Sequence, residues 1–153
     1  MGQILVVCTA NICRSPMAEV LLADRLRRAD PGSGWSVSSA GVWALEGLPA
    51  STGAQAVLEP RGMNLSAHRS RAVTPELLDQ AHLVLVMTSP HRLALLADFP
   101  QAAGKVFLLA EMAGEIFDIV DPYGGPLEGY EQTAAELENL IDRGLKRIQS
   151  LAG

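Results

Sequence analysis

The stretch Val6-Val7-Cys8-Thr9-Ala10-Asn11-Ile12-Cys13-Arg14-Ser15-Pro16 holds both cysteines of the chain in one short segment between an apolar run and a Ser-Pro pair. Upstream, Gln3 to Val7 (QILVV) is continuously apolar after its first residue and rich in β-branched side chains, the pattern of a strand buried on both faces. Downstream, Ser15-Pro16 reads as a helix start, with a hydroxyl at the N-cap and proline at the first helical position. Ala18, Leu21, Leu22, Leu26 and Ala29 then fall on one helical face until Asp30-Pro31-Gly32 ends the pattern. The order is strand, short loop, helix.

That order repeats along the chain. Ser36 to Ala40, Leu83 to Met87 and Lys105 to Leu109 read as three further strands. Thr74-Pro75 and Ser89-Pro90 mark two more helix starts of the Ser15-Pro16 kind. Ala54, Val57 and Leu58 suggest a helix broken near Pro60 to Gly62, and Leu137, Leu140, Ile141, Leu145 and Ile148 recur at helical spacing near the end. Strands alternating with helices predict an α/β fold: one three-layer domain over residues 1–153, with a four-stranded parallel sheet and helices on both faces. No repeat, low-complexity tract or linker divides it.

Composition excludes several functions. With 48% apolar residues the 153-residue chain can bury a core, so disorder is not expected. No apolar run approaches the roughly 18 residues of a membrane span, and the opening MGQILVVC lacks the pattern of a secretory signal, so a cytoplasmic location is expected. A net charge of -5 argues against nucleic acid or an anionic membrane surface as partner. His68, His82 and His91 show no metal-ligand spacing with the cysteines, so neither a metal nor another cofactor is expected, and His82 and His91 read as structural or solvent-facing.

In open α/β sheets ligands bind beyond the carboxyl ends of the strands, where loops pass into helix N-termini. The loop from Cys8 to Ser15 occupies that place. A loop wrapped around an anion turns several backbone N–H groups inward, and Arg14 can close the ring as a bidentate fork on two oxygens. The same field favours the thiolate of Cys8, which makes it a nucleophile aimed at the bound anion. The competing interpretation is a Cys8 that only packs and an Arg14 that reaches solvent.

VCTANICRSPMAE resembles the signature of the low-molecular-weight protein tyrosine phosphatases, and the resemblance continues through SSAGV at Ser38 to Val42, HRSRAV at His68 to Val73, LVLVMT at Leu83 to Thr88 and DPYGG at Asp121 to Gly125. It covers nearly the whole chain in the family's order, with the double glycine of bacterial members. The resemblance implies that Cys8 is the nucleophile, Arg14 the phosphate-binding arginine and Asp121 the general acid and base, with Asp118 as a nearby competitor. It also implies a substrate-binding loop of Thr9, Ala10, Asn11, Ile12, Cys13 and Ser15, in which Asn11 shapes the loop and Ser15 hydrogen-bonds the Cys8 sulfur. Tyr123 would cover the substrate ring. Trp43 matches an aromatic pocket wall, with a half-buried core position as the alternative. His68, Ser70 and Arg71 match a segment that packs behind the loop. Cys13 matches the cysteine that captures an oxidised nucleophile as a reversible disulfide. Ala10 replaces the glycine usual in the loop, which requires negative φ there.

The implied partners are a phosphotyrosine-containing protein and inorganic phosphate or similar oxyanions. Two other activities share the scaffold. Protein arginine phosphatases resemble this chain closely but carry threonine where it has Ile12. Arsenate reductases pass a disulfide to cysteines farther along, and no cysteine follows Cys13 here.

Overall fold

A computed structural model describes residues 2–153. The strands β1 (Gln3–Cys8), β2 (Ser36–Gly41), β3 (Leu83–Val86) and β4 (Val106–Leu108) pair in the order β2-β1-β3-β4, every pair parallel. β1 lies inside the sheet, and the twofold alternation along it sends Ile4, Val6 and Cys8 to one face and Leu5 and Val7 to the other. Both faces are covered, which is why β1 reads as an unbroken apolar run. The helices are α1 (Arg14–Ala29), α2 (Thr52–Leu58), α3 (Pro75–Gln80), α4 (Ser89–Asp98), α5 (Leu109–Met112) and α6 (Leu127–Ala152). Buried side chains of α1, α2, α5 and α6 pack with Ile4 and Val6, while those of α3 and α4 pack with Leu5 and Val7. No helix among the described residues is long and apolar enough to cross a membrane.

The chain leaves β1 towards β2 on one side and later returns to β3 on the other. The loop after Cys8 therefore sits where the strand order reverses, at the carboxyl end of the sheet. Gly41, at the end of β2, lies so close to this loop that a Cβ there would collide with the carbonyl of Thr9 and approach the Asn11 nitrogen to 3.0 Å. The glycine of SSAGV is thus required by close approach.

Helix starts depart from the sequence pattern in two places. Thr74 does cap α3, accepting from the Leu77 N–H at 3.2 Å. Ser15, however, lies inside α1, whose N-cap is Cys13. At the start of α4 the cap is Thr88 and not Ser89, accepting from the His91 N–H at 3.2 Å. β4 is also shorter than Lys105 to Leu109: Glu111 accepts from the Leu108 N–H at 2.9 Å and opens α5 at Leu109. Ala29 is exposed, so the buried face of α1 ends at Leu26.

Candidate active site

Five carbonyls of the loop point away from its centre. Those of Cys8 and Thr9 accept from the N–H groups of Val42 and Trp43, each at 3.0 Å. That of Asn11 accepts from His68 Nε2 at 2.7 Å, that of Ile12 from the Ser51 N–H at 2.8 Å and that of Cys13 from the Met17 N–H at 3.2 Å. A trans peptide sets its N–H opposite its carbonyl, and no cis peptide occurs among the described residues. The amides of Thr9, Ala10, Ile12, Cys13 and Arg14 consequently face the other way, into the loop, where they form a concave set of donors suited to an oxyanion.

Asn11 holds this shape. It is the only non-glycine residue with positive φ among the described residues, at 60°. Left-handed backbone costs a non-glycine residue about 1–2 kcal/mol. Its Nδ2 donates to Ser15 Oγ at 2.8 Å and Ser39 Oγ at 2.9 Å, its Oδ1 accepts from the Arg71 N–H at 3.0 Å, and its carbonyl takes His68. These bonds, at roughly 0.5–1.5 kcal/mol net each, outweigh the strain. Ala10 has negative φ, so the missing glycine costs the loop nothing. Because Ser15 Oγ accepts from Asn11, its own proton is available for the Cys8 sulfur, 3.0 Å away. The network ends at Glu19, to which Ser39 Oγ donates at 2.5 Å.

Arg14 is buried and held from two sides. Nη1 donates to the Ile119 carbonyl at 2.8 Å and Nη2 to Thr9 Oγ1 at 3.3 Å, while Nε has no partner among the described residues. Asp121 Oδ2 stands 3.5 Å from Nη2, with its side chain 48% exposed. Asp121 Oδ1 accepts from the Tyr123 N–H at 3.1 Å, closing the turn that presents the carboxylate. Asp118 instead accepts from the Ser89 N–H at 2.8 Å at the start of α4 and does not line the cleft, which sets it apart from Asp121.

Cys8, Thr9, Ala10, Ile12, Cys13, Arg14, Asp121 and Tyr123 together line one cleft of about 320 Å³. Asn11 and Ser15 lie fully buried behind it and support the loop without lining it. Trp43 is neither a wall of this cleft nor a core residue: its side chain is 69% exposed, and only its backbone N–H binds the loop. His68 and Arg71 both bond Asn11, as their place behind the loop implied. Ser70 bridges the Leu48 N–H and the Leu45 carbonyl and so anchors the neighbouring loop. Cys13 Sγ lies 3.2 Å from Ser51 Oγ and 3.6 Å from the Tyr130 hydroxyl. Burial pushes the Cys13 thiol up, which keeps it protonated at neutral pH.

Sequence reasoning missed His91. Its Nε2 lies 2.8 Å from Thr9 Oγ1, the hydroxyl that also receives Arg14, and its Nδ1 is buried without a partner among the described residues. Burial, and then the positive charge of Arg14, pushes His91 down to about 4, so the ring is neutral at pH 7. Nothing in SPHR signals this contact, because it joins the first turn of α4 to a loop far back in the chain. Glu19 and Ser39 stood inside quoted motifs, but their mutual contact exists only in the folded chain.

A thiol-bearing anion loop at the end of the first parallel strand, with a carboxylate in the same cleft and no cysteine after Cys13, fits one class, the cysteine-dependent phosphoric monoester hydrolases. The profile of low molecular weight phosphotyrosine protein phosphatases matches residues 3–151. The chain belongs to that family. It is 44% identical to a protein-arginine-phosphatase of Geobacillus stearothermophilus over 97% of each chain. It is 43% identical to the probable low molecular weight protein-tyrosine-phosphatase EpsP of Ralstonia solanacearum, again over 97% of each. The crystal structure of a low molecular weight protein tyrosine phosphatase from T. tengcongensis superposes with a TM-score of 0.91 at 42% identity, covering 96% of this chain and 99% of that one.

Proposed function

We propose that this chain hydrolyses phosphotyrosine in phosphoproteins through a phosphocysteine on Cys8. The observation that carries this reading is one cleft lined by a thiol, a buried arginine, a carboxylate and the apolar side chains of Ile12 and Tyr123. The loop amides and Arg14 hold the phosphoryl oxygens. Cys8 sulfur attacks phosphorus, the phosphorus–oxygen bond to the ring breaks, and Asp121 gives its proton to the departing phenolate. Asp121, now ionised, takes a proton from water as that water attacks phosphorus, releasing phosphate and restoring the thiolate. Ile12 and Tyr123 flank the substrate ring, and Trp43 stands exposed on the adjoining loop, where it meets the protein that carries the ring. Cys13 protects the nucleophile: when peroxide oxidises Cys8 to a sulfenic acid, the Cys13 thiol attacks that sulfur, a disulfide forms and water leaves.

The arginine phosphatase among the relatives keeps phosphoarginine as the rival substrate. Ile12 favours tyrosine, because its β-branched apolar side chain lines the cleft and offers no acceptor to a guanidinium. Each guanidinium N–H buried without a partner costs on the order of 1 to 3 kcal/mol. The deciding measurement is kcat/KM for phosphotyrosine and phosphoarginine peptides, with the wild type and with Ile12→Thr. The wild type is expected to prefer phosphotyrosine, and Ile12→Thr to move the ratio towards phosphoarginine by about tenfold or more, since about 1.4 kcal/mol is one power of ten. A wild type that prefers phosphoarginine overturns the assignment.

A further inference from the structure

A second depression, of about 780 Å³, adjoins the catalytic cleft, and Ile12 and Tyr123 line both. Its exposed rim includes Leu48, Tyr123 and Leu127, and the buried Tyr130 and Ala50 form its floor. None of its lining side chains is charged. Small residues line it on α2. At Gly53 a Cβ would meet the Tyr130 ring at 2.5 Å, and at Ala56 the exposed helix surface stops at a methyl group.

The catalytic cleft, at about 320 Å³, accommodates the phosphorylated side chain, and the rest of a protein substrate has to continue over its rim. Tyr123 and Ile12 form the ridge between the two depressions, so a backbone that delivers its phosphorylated residue to Cys8 passes directly beside the second one. An extended chain advances about 3.3 Å per residue, which brings a side chain one to three positions away into reach. The neighbour that fits is apolar, because Ile12, Leu48, Ala56 and Leu127 line the groove and no side chain in it is charged to pair with a buried charge of either sign. We propose that this groove is a specificity subsite that takes an uncharged apolar side chain flanking the phosphorylated residue of the substrate polypeptide. The proposal rests on the phosphatase reading of the Cys8 cleft. Binding energy gained there, remote from the reacting bond, would separate peptide substrates without altering the chemistry on a small ester.

The test compares phosphotyrosine peptides in an alanine background, with leucine or glutamate placed singly at each of the three positions on either side. Leucine at one of these positions is expected to raise kcat/KM by about tenfold over alanine, the worth of burying such a side chain, and glutamate there to lower it. Ala56→Trp, which fills the groove, and Leu127→Glu, which charges its rim, are expected to abolish the leucine preference while turnover of p-nitrophenyl phosphate stays within twofold of wild type. Glutamate in the first turn of α6 suits a helix N-terminus, so unfolding does not explain its effect. Indifference to all flanking residues, or a leucine preference that survives both variants, overturns the subsite. Failure of the wild type to hydrolyse p-nitrophenyl phosphate overturns the phosphatase reading instead, a separate outcome from failure of the subsite.

Discussion

The loop from Cys8 to Ser15 and the segment around Asp121 face each other across one cleft, yet they are held in opposite ways. In the loop, the carbonyls of Cys8, Thr9, Asn11, Ile12 and Cys13 each have a donor, and Asn11 alone binds two other segments, at Ser39 and at His68 and Arg71. The opposite segment is pinned mainly at Ile119, whose N–H donates to the Met87 carbonyl at 3.0 Å and whose carbonyl receives Arg14. Around that peg, Ile116, Val120 and Tyr123 are exposed. The difference follows from the work each side does. Donors that meet a doubly charged oxyanion act best when no reorganisation is needed as charge moves. On the proposed mechanism, a segment on which Tyr123 covers an entering ring and Asp121 passes a proton belongs among those with few buried contacts, at the low end of local stability.

The contrast is broken most severely at Asn11. Asn11→Ala removes its side-chain bonds to Ser15, Ser39 and Arg71 and leaves a non-glycine residue at φ 60°. Turnover is expected to fall by about 100-fold or more, with weaker vanadate binding and a lower Tm, because the strain of about 1–2 kcal/mol loses its compensation and buried partners lose their bonds. Cys8→Ser provides the contrast: turnover disappears while vanadate binding survives on the loop amides and Arg14. Calorimetry and single-turnover kinetics on both variants decide it, and an Asn11→Ala enzyme within tenfold of wild type would show that the loop does not need its scaffold.

On the lightly held side, loss should be confined to chemistry. Asp121→Asn is expected to slow esters of poor leaving groups by roughly 10²- to 10⁴-fold, the usual worth of a general acid, and activated esters far less. Its Tm should stay near that of wild type, since the side chain is half exposed. Asp118→Asn should leave the leaving-group dependence unchanged, because Asp118 bonds the Ser89 N–H and does not line the cleft. A flat leaving-group series for Asp121→Asn would reduce Asp121 to a positioning role.

The smallest effect sharpens the loop side. Above pH 6.5 His91 is neutral in both folded and unfolded chains, so its contribution to stability is complete. Between pH 6.5 and about 4 the unfolded chain takes up a proton that the folded one refuses, and stability falls as pH falls. His91→Gln keeps a donor near Thr9 but removes the titration. Its Tm should decline less than that of wild type between pH 6.5 and 4.5, and parallel declines would show that His91 does not carry this dependence.

Local patterns made most of the fold legible. A strand buried on both faces has to be apolar at every position, so β1 and β3 announce themselves; Pro31 and Gly32 end α1 because of their own backbone chemistry. Cap residues were less legible. Thr88 and Ser89 both precede Pro90 as hydroxyl residues, and only the path of the chain decides which one meets the His91 N–H. Ser15 was drawn from the capping role by Cys8 and Asn11, contacts that a reading of local spacing does not contain.

By itself the sequence determined the order of strands and helices, the place of the Cys8–Arg14 loop at the carboxyl end of β1, and the residue types that suit an oxyanion and a thiol nucleophile, because these follow from periodicity and from chemistry carried by neighbours in the chain. Apart from the resemblance, the residues left two carboxylates open, and the tertiary structure lines the cleft with one of them. Asp118 and Asp121 have the same chemistry three residues apart, and it is Ile119, anchored to Met87 and Arg14, that turns one towards α4 and the other into the cleft. It likewise decided that His91 braces Thr9, that Trp43 stands in solvent, and that a groove without charge continues from the cleft between α2 and α6. The His91 contact and the groove join segments far apart in the chain, and such contacts exist only when the sheet has brought the segments together.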